Sequence, residues 1–205
     1  MEPIYGKNNK EELPLEFYLS RYKERDPEEI AARCGLAYDG TAFTIRFLGG
    51  DYRVSFPDFE ISGPMELRNP ERILFLRYLL DGRKADPTGR YLTYREFPWG
   101  EVYLQQFDGR CIKRFAFSYG TKPELLRKIM ERLPAKPLDR GDVGYEVELM
   151  DGLGMQFMLW LPDDEFPPSA QILFSDNFQL AFTAEDMANI GDILIGRMKW
   201  VGSSI

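Results

Sequence analysis

Histidine is absent from the 205-residue chain. The commonest general base at neutral pH is therefore missing. With it go the Ser-His and Cys-His nucleophile systems and the commonest metal ligand. Cysteine is nearly as scarce. Cys34 and Cys111 are the two present, too few for a disulfide framework or for a four-cysteine zinc or iron–sulfur site within one chain. No stretch approaches the ~20 apolar residues that a membrane helix needs. Met1–Leu13 is polar and mixed in charge, unlike a secretory signal. These absences lead to the expectation of a soluble, cytoplasmic protein without a membrane partner.

What is present points to an ordinary packed core. Hydrophobic residues make up 44% and aromatics 14%, enough bulky apolar surface to drive collapse. The length suits one well-filled core, so residues 1–205 are expected to form a single domain, with 1–12 as a frayed lead-in. There are 33 acidic against 26 basic side chains, a net charge of -7. That balance repels a polyanion, and no nucleic-acid partner is expected. The basic residues between Lys122 and Arg132 are interleaved with acids and read as a solvated helix face.

Apolar spacings of three and four from Pro14 through Tyr22 predict a helix. Asp26-Pro27-Glu28-Glu29 opens another, with Gly35 as its left-handed stop. Phe43, Ile45 and Phe47, then Tyr52, Val54 and Phe56, alternate with polar residues. They predict a hairpin whose turn takes its positive φ from Gly49-Gly50. Asn69-Pro70-Glu71 starts a third helix that ends at Asp81-Gly82, and residues 82–98 read as a surface excursion. Trp99, Tyr103, Phe107, Cys111, Phe115 and Tyr119 recur every fourth residue, which suits a helix far better than a strand. Thr121–Glu124 has capping-box spacing for a helix to Arg132, and Pro134–Gly144 reads as a bend.

Beyond that bend, Tyr145, Val147 and Leu149 alternate with glutamates. A turn at Asp151–Gly154 and apolar strands at Met155–Leu161 and Ala170–Phe174 follow. Thr183, with Asp186 three residues on, opens a last helix lined by Met187, Ile190, Ile193, Leu194 and Met198. The expected fold class is α+β. Mostly antiparallel sheet, built from hairpins at 42–56 and 145–175, packs against several helices.

Several stretches carry a family resemblance. They are Ile73–Leu80, Phe97-Pro98-Trp99-Gly100, Asp163–Phe174, and Thr183-Ala184-Glu185-Asp186 with its following apolar helix. Together with the hairpin around Gly49, they resemble domain of unknown function 3786, an uncharacterised prokaryotic family, over nearly the whole chain from Leu15. The resemblance implies no settled activity. Some relatives carry an added cysteine-rich segment of the iron–sulfur-binding kind, which implies a setting in anaerobic redox or one-carbon metabolism. This chain lacks that segment, so the cluster association is carried to no residue here.

The sharpest local feature is Trp160-Leu161-Pro162-Asp163-Asp164-Glu165-Phe166-Pro167-Pro168. Trp160, Asp163, Asp164 and Glu165 are the candidate ligand-binding residues. Three carboxylates beside an apolar platform suit a hard cation such as Mg²⁺ or Ca²⁺, or an acid–base pair. The plainer reading, which the sequence favours, is a charged turn with prolines guarding a sheet edge. The spacing of a calcium-binding loop is missing, and no glycine turn has the phosphate-cradling pattern. Cys111, near Arg110, Lys113 and Arg114, has cations that would activate a thiol, yet it sits on the apolar stripe. Ser118, Ser169 and Ser175 have no histidine to activate them.

Two functions stay open: a non-catalytic binding or accessory module beside a protein partner in redox metabolism, and a carboxylate-based, divalent-cation-dependent enzyme around Asp163–Glu165. No cofactor, catalytic residue or oligomeric state is assigned. Both cysteines are expected to be reduced. Iodoacetamide should label two thiols in the unfolded, unreduced protein, and finding none would refute that expectation.

Overall fold

The computed structural model describes residues 12–205; the expected lead-in lies outside them, except that Glu12 already opens a helix. The fold class is α+β, with antiparallel strands packed against helices. The chain divides into two compact units, one of residues 12–45 and Gly50–Lys84, the other of Arg46–Gly49 and Ala85–Ile205.

The first unit contains helices α1 (Glu12–Lys23), α2 (Pro27–Cys34) and α3 (Asn69–Asp81) and strands β1 (Ala37–Tyr38), β2 (Ala42–Phe47), β3 (Gly50–Ser55) and β4 (Ile61–Ser62). The start and stop of α2 are those the sequence predicts. Asp26 accepts from the Glu28 N–H at 2.9 Å, and Gly35 turns left-handed at φ 60°. Strand β2 pairs antiparallel with β1 on one side and neighbours β3 on the other, and β4 pairs with β3. Period-two alternation buries Phe43, Ile45, Tyr52 and Val54. Tyr22 joins their layer edge-on to Phe43, Phe56 and Phe59. Arg33 donates to the Leu79 carbonyl at 2.7 Å and to that of Gly82, satisfying carbonyls at the end of α3.

The hairpin turn differs from its expectation by one residue. Leu48 and Gly49, at φ 47° and 78°, carry the left-handed pair that a type I′ turn requires, and Gly50 already belongs to β3. The tip belongs to the second unit. There Phe47 is in register with Met150, and the Leu48 N–H donates to the Leu149 carbonyl at 2.9 Å.

In the second unit, β5 (Tyr91–Thr93), β6 (Ala135–Leu138), β7 (Val143–Met150), β8 (Leu153–Trp160) and β9 (Ser169–Ser175) run antiparallel in the order β6-β7-β8-β9-β5. Strand β5 lies inside the expected surface excursion, and β6 occupies the first part of the expected bend. Both are short and flanked by turn residues, so composition hid them.

One helical rod, α4 (Gly100–Phe107), a π-helical stretch (Asp108–Lys113) and α5 (Arg114–Tyr119), covers the sheet together with α6 (Pro123–Arg132), α7 (Phe178–Ala181) and α8 (Ala184–Gly202). Four residues overshoot an α-helical turn of 3.6, so a strict four-residue repeat drifts off one face. The wider π turn takes up that drift. Phe107, Cys111, Phe115 and Tyr119 are all buried, whereas Trp99, before the rod, is exposed. Phe115 meets Phe157 of β8 at 5.4 Å, and Phe107 meets Phe174 of β9 at 5.8 Å.

Helix α6 begins at Pro123 behind Lys122, whose side chain makes no capping bond, so the expected Thr121 cap is replaced. Thr183 and Asp186 do form the capping box of α8.

Replacing Gly49 with valine should cost about 1–3 kcal/mol, because a β-branched residue is strained in the left-handed region. Gly109→Ala meets open space in a helix and should be neutral or stabilising by roughly 0.5–1 kcal/mol. Urea unfolding of both variants checks the pair.

Candidate functional site

The antiparallel register of the second unit sorts its side chains onto two faces. Met155, Phe157, Ile172 and Phe174 face the helices, and so Gly154, Gln156, Leu173 and Ser175 take the other side. A cleft of about 470 Å³ opens on this second face. Its polar lining comes from Tyr91 of β5, Lys136 of β6, Glu146 and Glu148 of β7, Ser175 of β9, and Arg46 at the hairpin tip. Pro87, Leu133, Pro134 and Ala135 add apolar wall.

Gly154 makes the arrangement possible. A Cβ there would fall 2.4 Å from the Tyr91 hydroxyl, so only glycine lets the phenol lie across β8. The hydroxyl lies near the Glu146 carboxylate, which acts on the phenol electrostatically. The amide of Gln156, which is Glu146's register partner, donates to the same carboxylate at 3.1 Å. Burial, then the neighbouring Glu146 carboxylate and the charge of Glu148, push the Tyr91 phenol well above its ordinary range. It therefore stays a hydrogen-bond donor at neutral pH.

The floor is tied down by a buried network. Ser175 donates to Asn177 Oδ1 at 2.6 Å and accepts from the Gly154 N–H. The Asn177 amide donates to the carbonyls of Gly152 and Ala85 at 2.8 and 2.7 Å. Asp176 accepts from the Thr88 N–H at 3.1 Å and from its hydroxyl, fastening the loop that carries Pro87. These bonds hold the Asp176 carboxyl below the usual carboxylate range. Glu148 accepts from the Gly152 N–H at 3.0 Å.

The residues singled out from sequence lie elsewhere. Trp160 ends β8 and is 39% exposed, and Asp163, Asp164 and Glu165 are exposed in the loop that follows. Asp163 Oδ1 accepts from the Glu165 and Phe166 N–H groups at 2.9 and 2.7 Å, so this oxygen shapes its own turn. Six residues of extended strand separate Gly154 from Trp160, about 20 Å. None of the four lines the cleft. Among the described residues, no group of three or more His, Cys, Asp or Glu side chains is placed to hold a metal ion.

The glutamates of the cleft were visible as the polar half of an alternating strand. Tyr91 and Lys136 sit on the two strands that composition concealed, so nothing in sequence joined them to the glutamates.

A family model described as "Domain of unknown function (DUF3786)" matches residues 26–197. The chain belongs to this family. No curated protein and no solved structure matches it. The span shared with DUF3786 includes every residue lining the cleft as well as the Asp163–Glu165 loop. No described helix of this DUF3786 protein is long and apolar enough to cross a membrane.

Both thiols are free and buried. Burial raises Cys34 from 9.0 to about 11, opposed by the cation of Arg33. It raises Cys111 to about 12, with Asp192 adding to the effect and Arg110 and Arg114 opposing it. Desolvation thus outweighs the neighbouring cations, and neither thiol is activated as a nucleophile. The folded chain keeps these protons at pH values where the unfolded chain has lost them. The stability they contribute is complete below pH 9 and is lost as pH rises towards 12. Urea-unfolding free energy should fall across that window, and less steeply in Cys111→Ala. An equal slope in wild type and variant would contradict the burial of the thiol.

Proposed function

We propose that this DUF3786 protein is a non-catalytic binding or accessory module, cytoplasmic, and that the cleft beneath Tyr91 holds its ligand. Its setting, beside a protein partner in anaerobic redox or one-carbon metabolism, rests on the cysteine-rich segments of similar proteins. One observation carries the binding reading. Groups of both charges, a phenol donor and apolar walls converge on one concavity whose floor is fixed by protein hydrogen bonds. Small-molecule sites combine those features in about this volume. The Asp163–Glu165 loop suits surface recognition better than acid–base chemistry, because its carboxylates are exposed and Asp163 already accepts two backbone bonds.

Native mass spectrometry tests this after the protein is equilibrated with a prokaryotic small-molecule extract. Wild type should carry an adduct that Gly154→Val loses, because the added side chain displaces Tyr91. Circular dichroism would establish that the variant is folded. An adduct absent from both proteins, or undiminished in the variant, removes the cleft from the reading. Conversion of the adduct to a product of different mass would replace the module with an enzyme.

A further inference from the structure

We propose that the cleft binds a free α-amino acid with an uncharged side chain, an inference that rests on the cleft being the binding site. The lining sets Lys136 and Arg46, the latter also paired with Asp151 at 3.7 Å, against Glu146 and Glu148, although the chain as a whole is acidic. A dianion entering this space meets two carboxylates, and a diamine meets two cations. A ligand with one charge of each sign meets a complement for both.

The opposite charges are also close together. Lys136 and Glu146 are register partners on β6 and β7, which sets their Cβ atoms about 4.5–5.5 Å apart. Their charged ends nonetheless form no ion pair with each other. Among the described residues the Lys136 ammonium has no ion-pair or hydrogen-bond partner. Glu146 is oriented instead by the Gln156 amide. An α-amino acid carries its carboxylate and ammonium on one carbon, a spacing that suits these neighbouring and unjoined charges.

A third observation favours an ammonium at the Glu146 end. Gln156 is 7% exposed and lies outside the cleft lining, and its Nε2 donates to Glu146. Among the described residues the Glu146 carboxylate accepts one hydrogen bond, which leaves it further acceptor capacity toward the cleft, and an ammonium brings three donors. The carboxylate then faces Lys136, with Arg46 as the second cation of the lining. Pro87, Leu133, Pro134 and Ala135 leave an apolar surface for the side chain, which is why a third charge on the ligand is excluded.

Calorimetry on the full chain tests the proposal with L-valine, L-leucine, L-methionine and L-phenylalanine. Two truncated forms of leucine, 4-methylpentanoate without the amine and 3-methylbutylamine without the carboxylate, complete the set. At least one amino acid should bind. Both truncated forms should bind about tenfold or more weakly than the tightest of the four, and Lys136→Ala and Glu146→Gln should each weaken that amino acid by about the same factor. Binding by none of the four overturns the proposal. So does a truncated form that binds as well as the tightest of the four, or binding unchanged in both variants. If the amino acids fail while Gly154→Val still abolishes the extract adduct, the cleft remains the binding site and the zwitterion alone is wrong.

Discussion

Aromatic packing between one helical rod and two strands organises the larger unit. Phe107 and Phe115 press on Phe174 and Phe157, and Tyr94 stacks on Phe107 at 4.1 Å while its hydroxyl donates to the Ala184 carbonyl. Truncating one such buried ring typically costs about 3–5 kcal/mol, a large share of a domain's net stability. The rod reaches this contact because its π turn keeps a four-residue repeat on one face. Helix α8 comes close at Gly191, where a Cβ would fall 2.8 Å from Cys111 Sγ. Fixing the helices to one side of β8 and β9 commits the other side to the cleft.

The cleft in turn depends on a missing side chain. Strand β8 is apolar on its helix-facing side, and Gly154 is a gap in its second side. Through that gap Tyr91 reaches from β5 across to Glu146 on β7. A phenol that is partly buried beside two carboxylates keeps its proton, so it contributes a fixed donor to a wall otherwise rich in acceptors. The same second face holds Lys136, which among the described residues has no ion-pair or hydrogen-bond partner, the kind of polar deficit that a ligand can supply.

The chemistry excluded by composition agrees with the environment of the groups that remain. Both thiols are buried and held protonated, Cys111 in spite of two nearby arginines. Ser175 is buried as well, and its hydroxyl serves Asn177 and Gly154 as part of a scaffold. Of the side chains considered from sequence as actors, Asp163 also shapes local backbone. Residues with unengaged polar capacity, Lys136 foremost, are found where no motif pointed.

Much of the fold was legible in local patterns. Asp26 and Gly35 bound α2, Thr183 with Asp186 starts α8, and the alternations at 43–47, 52–54 and 145–149 are strands, because caps, turns and half-buried strands are determined by neighbours in the chain. Two adjacent glycines both suit a positive φ, and in the structure Leu48 and Gly49 take it while Gly50 enters β3. Strands β5 and β6 have too few residues to show a period, and they exist as strands only because β9 and β7 offer them hydrogen bonds. The cleft was illegible for the same reason. Tyr91, Lys136 and Glu146 lie far apart along the chain, and only the pairing of β6, β7, β8, β9 and β5, with no side chain at Gly154, brings them to one place, while the register of Phe47 on Met150 adds Arg46.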